Sequence, residues 1–193
     1  KNGIIKKVEA GSFENVRKSG LIALTLKGPD SLRWAKLTTG ADEIILVTKK
    51  GQAIRFSEKD VRAMGRQAAG VISIRLKKED EIIGAETITK EKISEGKLLV
   101  VSENGYGKQT IIKQYKKQRR GGSGIKTSKV TPKTGNIVGA QLIAEEATEL
   151  ITISRKGQVI RTTLANIPVL GRATQGVRIM RLADDTVASI TTL

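Results

Sequence analysis

An all-β, propeller-like array of about four four-stranded units in one domain is the fold this 193-residue sequence predicts. Three observations predict it. A glycine turn recurs four times at intervals of about fifty residues, at Asn2-Gly3, Lys50-Gly51, Asn104-Gly105 and Lys156-Gly157. A second glycine keeps step with it, at Gly20, Gly70, Gly124 and Gly176. Apolar, β-branched runs of strand length lead into the turns, and no stretch shows the period of an amphipathic helix. Self-similarity at this period marks an array in which each unit buries its faces against its neighbours, with units over about residues 1–40, 41–90, 91–145 and 146–193.

The first unit opens at its turn, without a leading strand, so the chain reads as beginning part-way through a unit. The strand after Gly20 and a last strand at Leu32–Leu37 complete it. The second unit begins with Glu43–Thr48, turns at Lys50-Gly51, and ends with the strand after Gly70 and with Glu81–Ile88. Ser57-x-x-Asp60 resembles a weak capping box, which predicts at most one helical turn in its connector. Lys90 to Gly96 reads as a charged linker. The third unit follows as Lys97–Ser102, the turn Asn104-Gly105, the strand after Gly124 and Asn136–Ile143. The fourth repeats this with Glu149–Ser154, Lys156-Gly157, the strand after Gly176 and Thr186–Thr191. Asn-Gly between two such runs predicts a type I′ hairpin, in which both turn residues have positive φ. The repeats alone leave open whether four units form an arc or close into a ring.

Lys and Arg number 35 against 19 Asp and Glu, a net charge of +16 without histidine. Such an excess points to a polyanion, of which nucleic acid is the commonest. A membrane surface would need a basic amphipathic helix or a long apolar span, and neither is present in the sequence. Cysteine is absent, which excludes disulfides and thiolate metal sites; the absence of histidine removes the commonest general base. There is no Walker loop, no G-x-G-x-x-G and no triad. Tyr106 and Tyr115 read as loop or packing residues, and Glu145-Glu146 and Asp184-Asp185 as solvated turns.

The cations fall in phase with the repeat. Lys6 and Lys7, Arg55, Lys108 and Arg161 follow the turns. Arg17 and Lys18, Arg66, Arg119 and Arg120, and Arg172 precede the second glycine, while Lys126 and Arg178 follow it. Equivalent positions in a circular array share a rim, so these residues are the candidates for contact with a phosphate backbone. The bland alternative is a basic protein that places Lys and Arg on every solvated face. Aromatic residues are not interleaved with the cations and no recognition helix is apparent, which favours duplex backbone over unpaired bases or base-specific readout. In Gln118-Arg119-Arg120-Gly121-Gly122-Ser123-Gly124, the glycines Gly121, Gly122 and Gly124 would let the chain turn tightly and approach phosphate, with Arg119 and Arg120 as forked donors.

That last segment resembles the Gln-Arg-Arg-Gly-Gly-Arg-Gly box of the C-terminal domain of bacterial gyrase A, with Ser123 where the family has Arg or Lys. Asp60-Val61-Arg62-Ala63-Met64-Gly65-Arg66, Asn104-Gly105-Tyr106-Gly107-Lys108 and Gly171-Arg172-Ala173-Thr174-Gln175-Gly176 resemble further blades, in family order. The resemblance implies a β-pinwheel, a propeller relative whose neighbouring blades exchange strands, here as the last four of about six blades. It also implies non-specific binding and wrapping of double-stranded DNA on a basic rim, in support of negative supercoiling. The partners it implies are the rest of gyrase A, together with gyrase B, in a cytoplasmic A2B2 type II topoisomerase. ATP and Mg2+ would belong to other domains, leaving this segment without a cofactor or catalytic residue. The alternatives are the equivalent domain of topoisomerase IV, or a propeller that binds proteins through an uncharged face.

Overall fold

The computed structural model describes residues 1–193. Its strands are β1 (Ile4–Ile5), β2 (Glu43–Thr48), β3 (Gln52–Ser57), β4 (Val71–Ile72), β5 (Ile82–Ile88), β6 (Lys97–Ser102), β7 (Tyr106–Ile111), β8 (Ile125–Lys126), β9 (Ile137–Leu142), β10 (Glu149–Ser154), β11 (Val159–Thr163), β12 (Val177–Arg178) and β13 (Val187–Thr192). They form four antiparallel sheets, ordered β1-β4, β5-β2-β3-β8, β12-β7-β6-β9 and β11-β10-β13. Each short strand thus pairs with the hairpin of the preceding unit: Ala53 faces Ile125, Gly107 faces Val177 and Ile5 faces Val71. This exchange is the pinwheel arrangement.

The exchange also explains why the sheets are not uniformly four-stranded. The first unit has no leading strand, so Leu32–Leu37 and the residues after Gly20 find no edge to pair with and are not strands. The last hairpin receives no strand from a following unit, which leaves β11 as an unpaired edge. No strand pairing links the first and last sheets, so the four units form an arc.

The turns differ from the type I′ expectation. Gly51, Gly105 and Gly157 take φ of 78°, 75° and 86°, whereas no Lys or Asn before them has positive φ. Their amides close on residues three back, Thr48, Ser102 and Ser154. The loops are therefore three residues long, a type I turn followed by a left-handed glycine. Ser57–Asp60 behaves as expected, with one turn of 3-10 helix at Glu58–Asp60 whose Ser57 side chain accepts from the Lys59 amide. The charged stretch before β6, which the sequence presents as a linker, instead contains the one-turn helix α1 (Lys92–Glu95).

The core is divided between units. Ile45, Val47, Ile88, Leu98, Val100, Ile112, Tyr115 and Ile137 are buried together, joining the second unit to the third. Leu99, Val101, Leu150, Leu164, Ile167 and Val187 do the same for the third and fourth. Strand β9 packs against both β5 and β13, so these edge strands converge on one axis. A cavity of about 370 Å³ there is lined by Trp34, Ile82, Ile137 and Val187, from all four units. The opposite edge of each sheet, which carries the short exchanged strands and their connectors, is consequently peripheral.

Candidate nucleic-acid interface

The predicted cations divide into two groups. Those after the turns are engaged within the chain: Arg55 and Lys108 are buried in the junctions, Lys6 and Lys7 are half-buried, and Arg161 is exposed on the last hairpin but paired. Arg55 is 7% exposed; its Nε donates to Glu43, and its Nη1 donates to the carbonyls of Ile112 and Tyr115 at 3.2 and 3.0 Å. Those carbonyls belong to the first residue of the next unit's 3-10 turn, Ile112–Gln114, and to the residue that closes it, so Arg55 clamps its neighbour. Gln109 occupies the same place one unit on, with Nε2 donating to Leu164 and Ile167 carbonyls. Lys7 pairs with the buried Glu58 at 2.8 Å, and Arg161 pairs with Glu149. Lys6 donates to the Ala23 and Arg66 carbonyls. Lys108 is 1% exposed, and its ammonium donates to the carbonyls of Gly171 (2.7 Å) and Arg172 (2.5 Å) and to the Thr174 hydroxyl (3.1 Å). Burial, aided by Arg172, lowers its pKa to about 8.

Along the peripheral connectors the picture is mixed. Arg120 donates to the carbonyls of Asp60 and Ile72, and Arg172 to that of Lys126. Ile72 and Lys126 are equivalent positions, each two residues past the second glycine, so both arginines are struts to the preceding unit. Arg17, Lys18, Arg119 and Lys126 are exposed, Arg66 is half-buried, and none of the five side chains forms a hydrogen bond or ion pair within the chain. Arg178 is exposed and donates to the Tyr106 phenol at 2.9 Å. These six are the sequence-marked cations left facing outward with neither a carboxylate nor a backbone carbonyl as partner.

The glycine-rich segment is an ordered loop laid along the second unit. The Gln118 amide donates to the Arg55 carbonyl, the Gly121 amide to that of Ser73, and the Gly122 carbonyl accepts from Arg75. A Cβ at Gly124 would sit 2.6 Å from the Ala53 carbonyl oxygen. Gly124 therefore permits close contact with the neighbouring unit, whereas a Cβ at Gly121 or Gly122 would meet nothing nearer than 3.6 Å. Exposed Lys113, Lys116 and Lys129 stand away from the glycine marks, so the repeat does not single them out; all three lie in or just after the connector of the third unit. The two tyrosines pack, as expected: Tyr115 is buried, with its hydroxyl 2.6 Å from Thr127, and Tyr106 is 6% exposed.

A strand-exchanged β-array with arginines and lysines along its periphery is a propeller-type repeat scaffold, and no cluster of His, Cys, Asp and Glu in it could hold a metal ion. Residues 1–39, 42–89, 96–144 and 148–193 match the family described as "DNA gyrase C-terminal domain, beta-propeller", and the chain belongs to that family. The DNA gyrase A protein of Staphylococcus epidermidis is 41% identical over 184 residues, 95% of this chain and 20% of that protein. Its counterpart of the same name in Staphylococcus aureus (strain MRSA252) is 38% identical over 185 residues, 96% of this chain and 20% of that protein. The chain thus spans about a fifth of the length of these curated relatives. Among solved structures, a DNA gyrase A C-terminal domain superposes with a TM-score of 0.84 at 29% identity, covering 99% of this chain and 62% of that one. The C-terminal domain of DNA topoisomerase IV gives 0.91 at 25%, covering 100% and 59%. No helix is long and apolar enough to cross a membrane.

Proposed function

We propose that the chain binds duplex DNA through its phosphate backbone and bends it along the peripheral edge of the arc, as a C-terminal domain of gyrase A. In the intact enzyme the DNA would be presented to the gate of an A2B2 assembly with gyrase B, in the bacterial cytoplasm, for ATP-dependent negative supercoiling. The single observation that carries this reading is the set of six outward cations on the connectors and exchanged strands, Arg17, Lys18, Arg66, Arg119, Lys126 and Arg178, with no carboxylate paired to any of them. Because the connectors recur at the same edge of successive units, the cations follow a curve rather than a patch. Contacts to phosphate position a duplex without reading its sequence, so all duplexes of equal shape and length should bind alike.

The salt dependence of duplex affinity tests this. Each phosphate neutralised contributes about −0.9 to the slope of log K against log salt, so six contacts give a slope of about −5, steeper by about one for each further cation that reaches a phosphate. Engagement of all thirteen predicted cations would require about −12. A slope near zero would refute backbone binding and favour a protein-binding propeller.

A further inference from the structure

The junction between the third and fourth units carries a constellation absent from the other junctions. Tyr106 on β7 stands opposite Arg178 on β12 in the strand register. The equivalent pairs are Ile4 with Ile72 and Gln52 with Lys126. The Tyr106 ring has the Arg178 guanidinium 5.5 Å from its centroid and the Lys133 ammonium 5.6 Å away. A cavity of about 470 Å³ opens beside it, lined by Tyr106, Arg178, Ile179, Met180 and Arg181.

Lys133, Arg178 and Arg181 converge here from two units, and no carboxylate pairs with them. An aromatic face attracts cations without cancelling their charge. The phenol oxygen occupies one guanidinium N–H, which leaves Arg178 further donors for an anion. The walls are fixed. Asn104 donates to the carbonyls of Pro132 and Lys133, and the Gly105 carbonyl accepts from the amides of Ile179 and Met180. A Cβ at Gly105 would come within 2.3 Å of the Met180 carbonyl oxygen, so the two units meet there backbone to backbone. Three unneutralised cations held together by rigid backbone form a local maximum of positive potential.

We propose that Lys133, Arg178 and Arg181, arranged around Tyr106, form a seat for one phosphodiester of the bound duplex. The proposal rests on the duplex-backbone reading above and adds to it a discrete contact that includes Lys133 and Arg181, which the repeat pattern does not mark. The cations also place the Tyr106 phenol below its ordinary pKa, through Arg178 first and Lys133 after, whereas burial raises that of Tyr115. The first tyrosinate transition on raising the pH therefore reports the seat.

The test follows tyrosinate absorbance from pH 8 to 10, without DNA, with a short duplex, and with inorganic phosphate at the same phosphate concentration. Lysines that titrate near the ordinary 10.4, and arginines, stay largely charged over most of this range, and buried Lys108, whose pKa is about 8, lies outside the seat. An anion beside the phenol disfavours its ionisation, so the duplex should move the first transition to higher pH. Arg178→Gln should abolish that movement, and Arg178→Gln and Lys133→Gln should each flatten the salt slope by about 0.9. Duplex bound with its full salt slope but with an unmoved transition and unchanged variant slopes would overturn the seat and leave the broader reading intact. Absence of salt-dependent duplex binding would overturn both. A movement as large with inorganic phosphate as with duplex would reassign the cluster to a free anion and overturn the proposal.

Discussion

Lys108 shows how far the role of one side chain departs from its position in the repeat. Its ammonium is buried among three neutral acceptors, with no counter-ion. Its folded pKa of about 8 lies below the value near 10.4 of an unfolded lysine. At pH 7 both states hold the proton, and the folded state carries the whole cost of desolvating the charge. Between about pH 8 and 10.4 the unfolded state binds more protons, so stability rises with pH across that window. The denaturation midpoint of the wild type should therefore climb relative to Lys108→Met from pH 8 to 10, and parallel curves would refute the account. Arg119 and Arg120, adjacent in sequence, should also separate. Arg119→Ala should reduce the salt slope of duplex binding by about 0.9 at unchanged stability. Arg120→Ala removes two bonds to the second unit and should cost about 1 kcal/mol in denaturation. The sequence marks cations by phase but does not show which way they point. Lys108 is three residues past its turn glycine and Arg55 four past its own, and successive strand residues face opposite ways. Reading them as one row merges two faces of a sheet.

The exchanged strand with its glycine is the element that joins units. Gly70, Gly124 and Gly176 all have positive φ, and a Cβ at each would meet a backbone carbonyl oxygen of the preceding unit at 2.6, 2.6 and 2.5 Å. Gly20 has the same φ sign, but nothing lies within 4 Å of its would-be Cβ. The pair makes a controlled comparison in thermal denaturation. Gly20→Ala should cost only left-handed strain, about 1 kcal/mol, while Gly124→Ala adds a backbone clash and should cost clearly more. Equal losses would mean that the glycine serves its turn and not the junction. The recurrence of these glycines and the apolar runs made the strands legible, because a strand buried on both faces shows as a continuous apolar stretch. The turn type was not legible, since Lys49, Glu103 and Arg155 enter the loops without a special residue type to announce a third position. Helix α1 escaped for a related reason: four residues are too few to display a helical period.

At the scale of the whole molecule, arc and ring differ only in whether the end units pair, and the spacing of repeats does not encode that. The arc has a physical consequence. Strands β5, β9 and β13 converge on the axis, so the connectors diverge around the outside and carry their free cations along a curve. A duplex with a persistence length of about 150 bp resists such a path, and smooth bending of a 20–30 bp site by 40–90° costs about 1–6 kcal/mol. Contacts confined to one unit would leave the duplex straight, whereas contacts spread over several units repay bending. The two cases separate when nicked circular DNA is sealed with the protein bound and the protein is then removed. Wrapping should shift the topoisomer distribution in proportion to the protein added, and the shift should shrink as salt weakens the phosphate contacts. Arg119→Ala and Lys126→Ala together should reduce the shift by more than they reduce affinity, because a middle contact holds the bend while the outer ones hold the ends. An unshifted distribution at saturating protein would mean that the outward cations grip a straight duplex, and the curved path would then have to be abandoned while backbone binding survived.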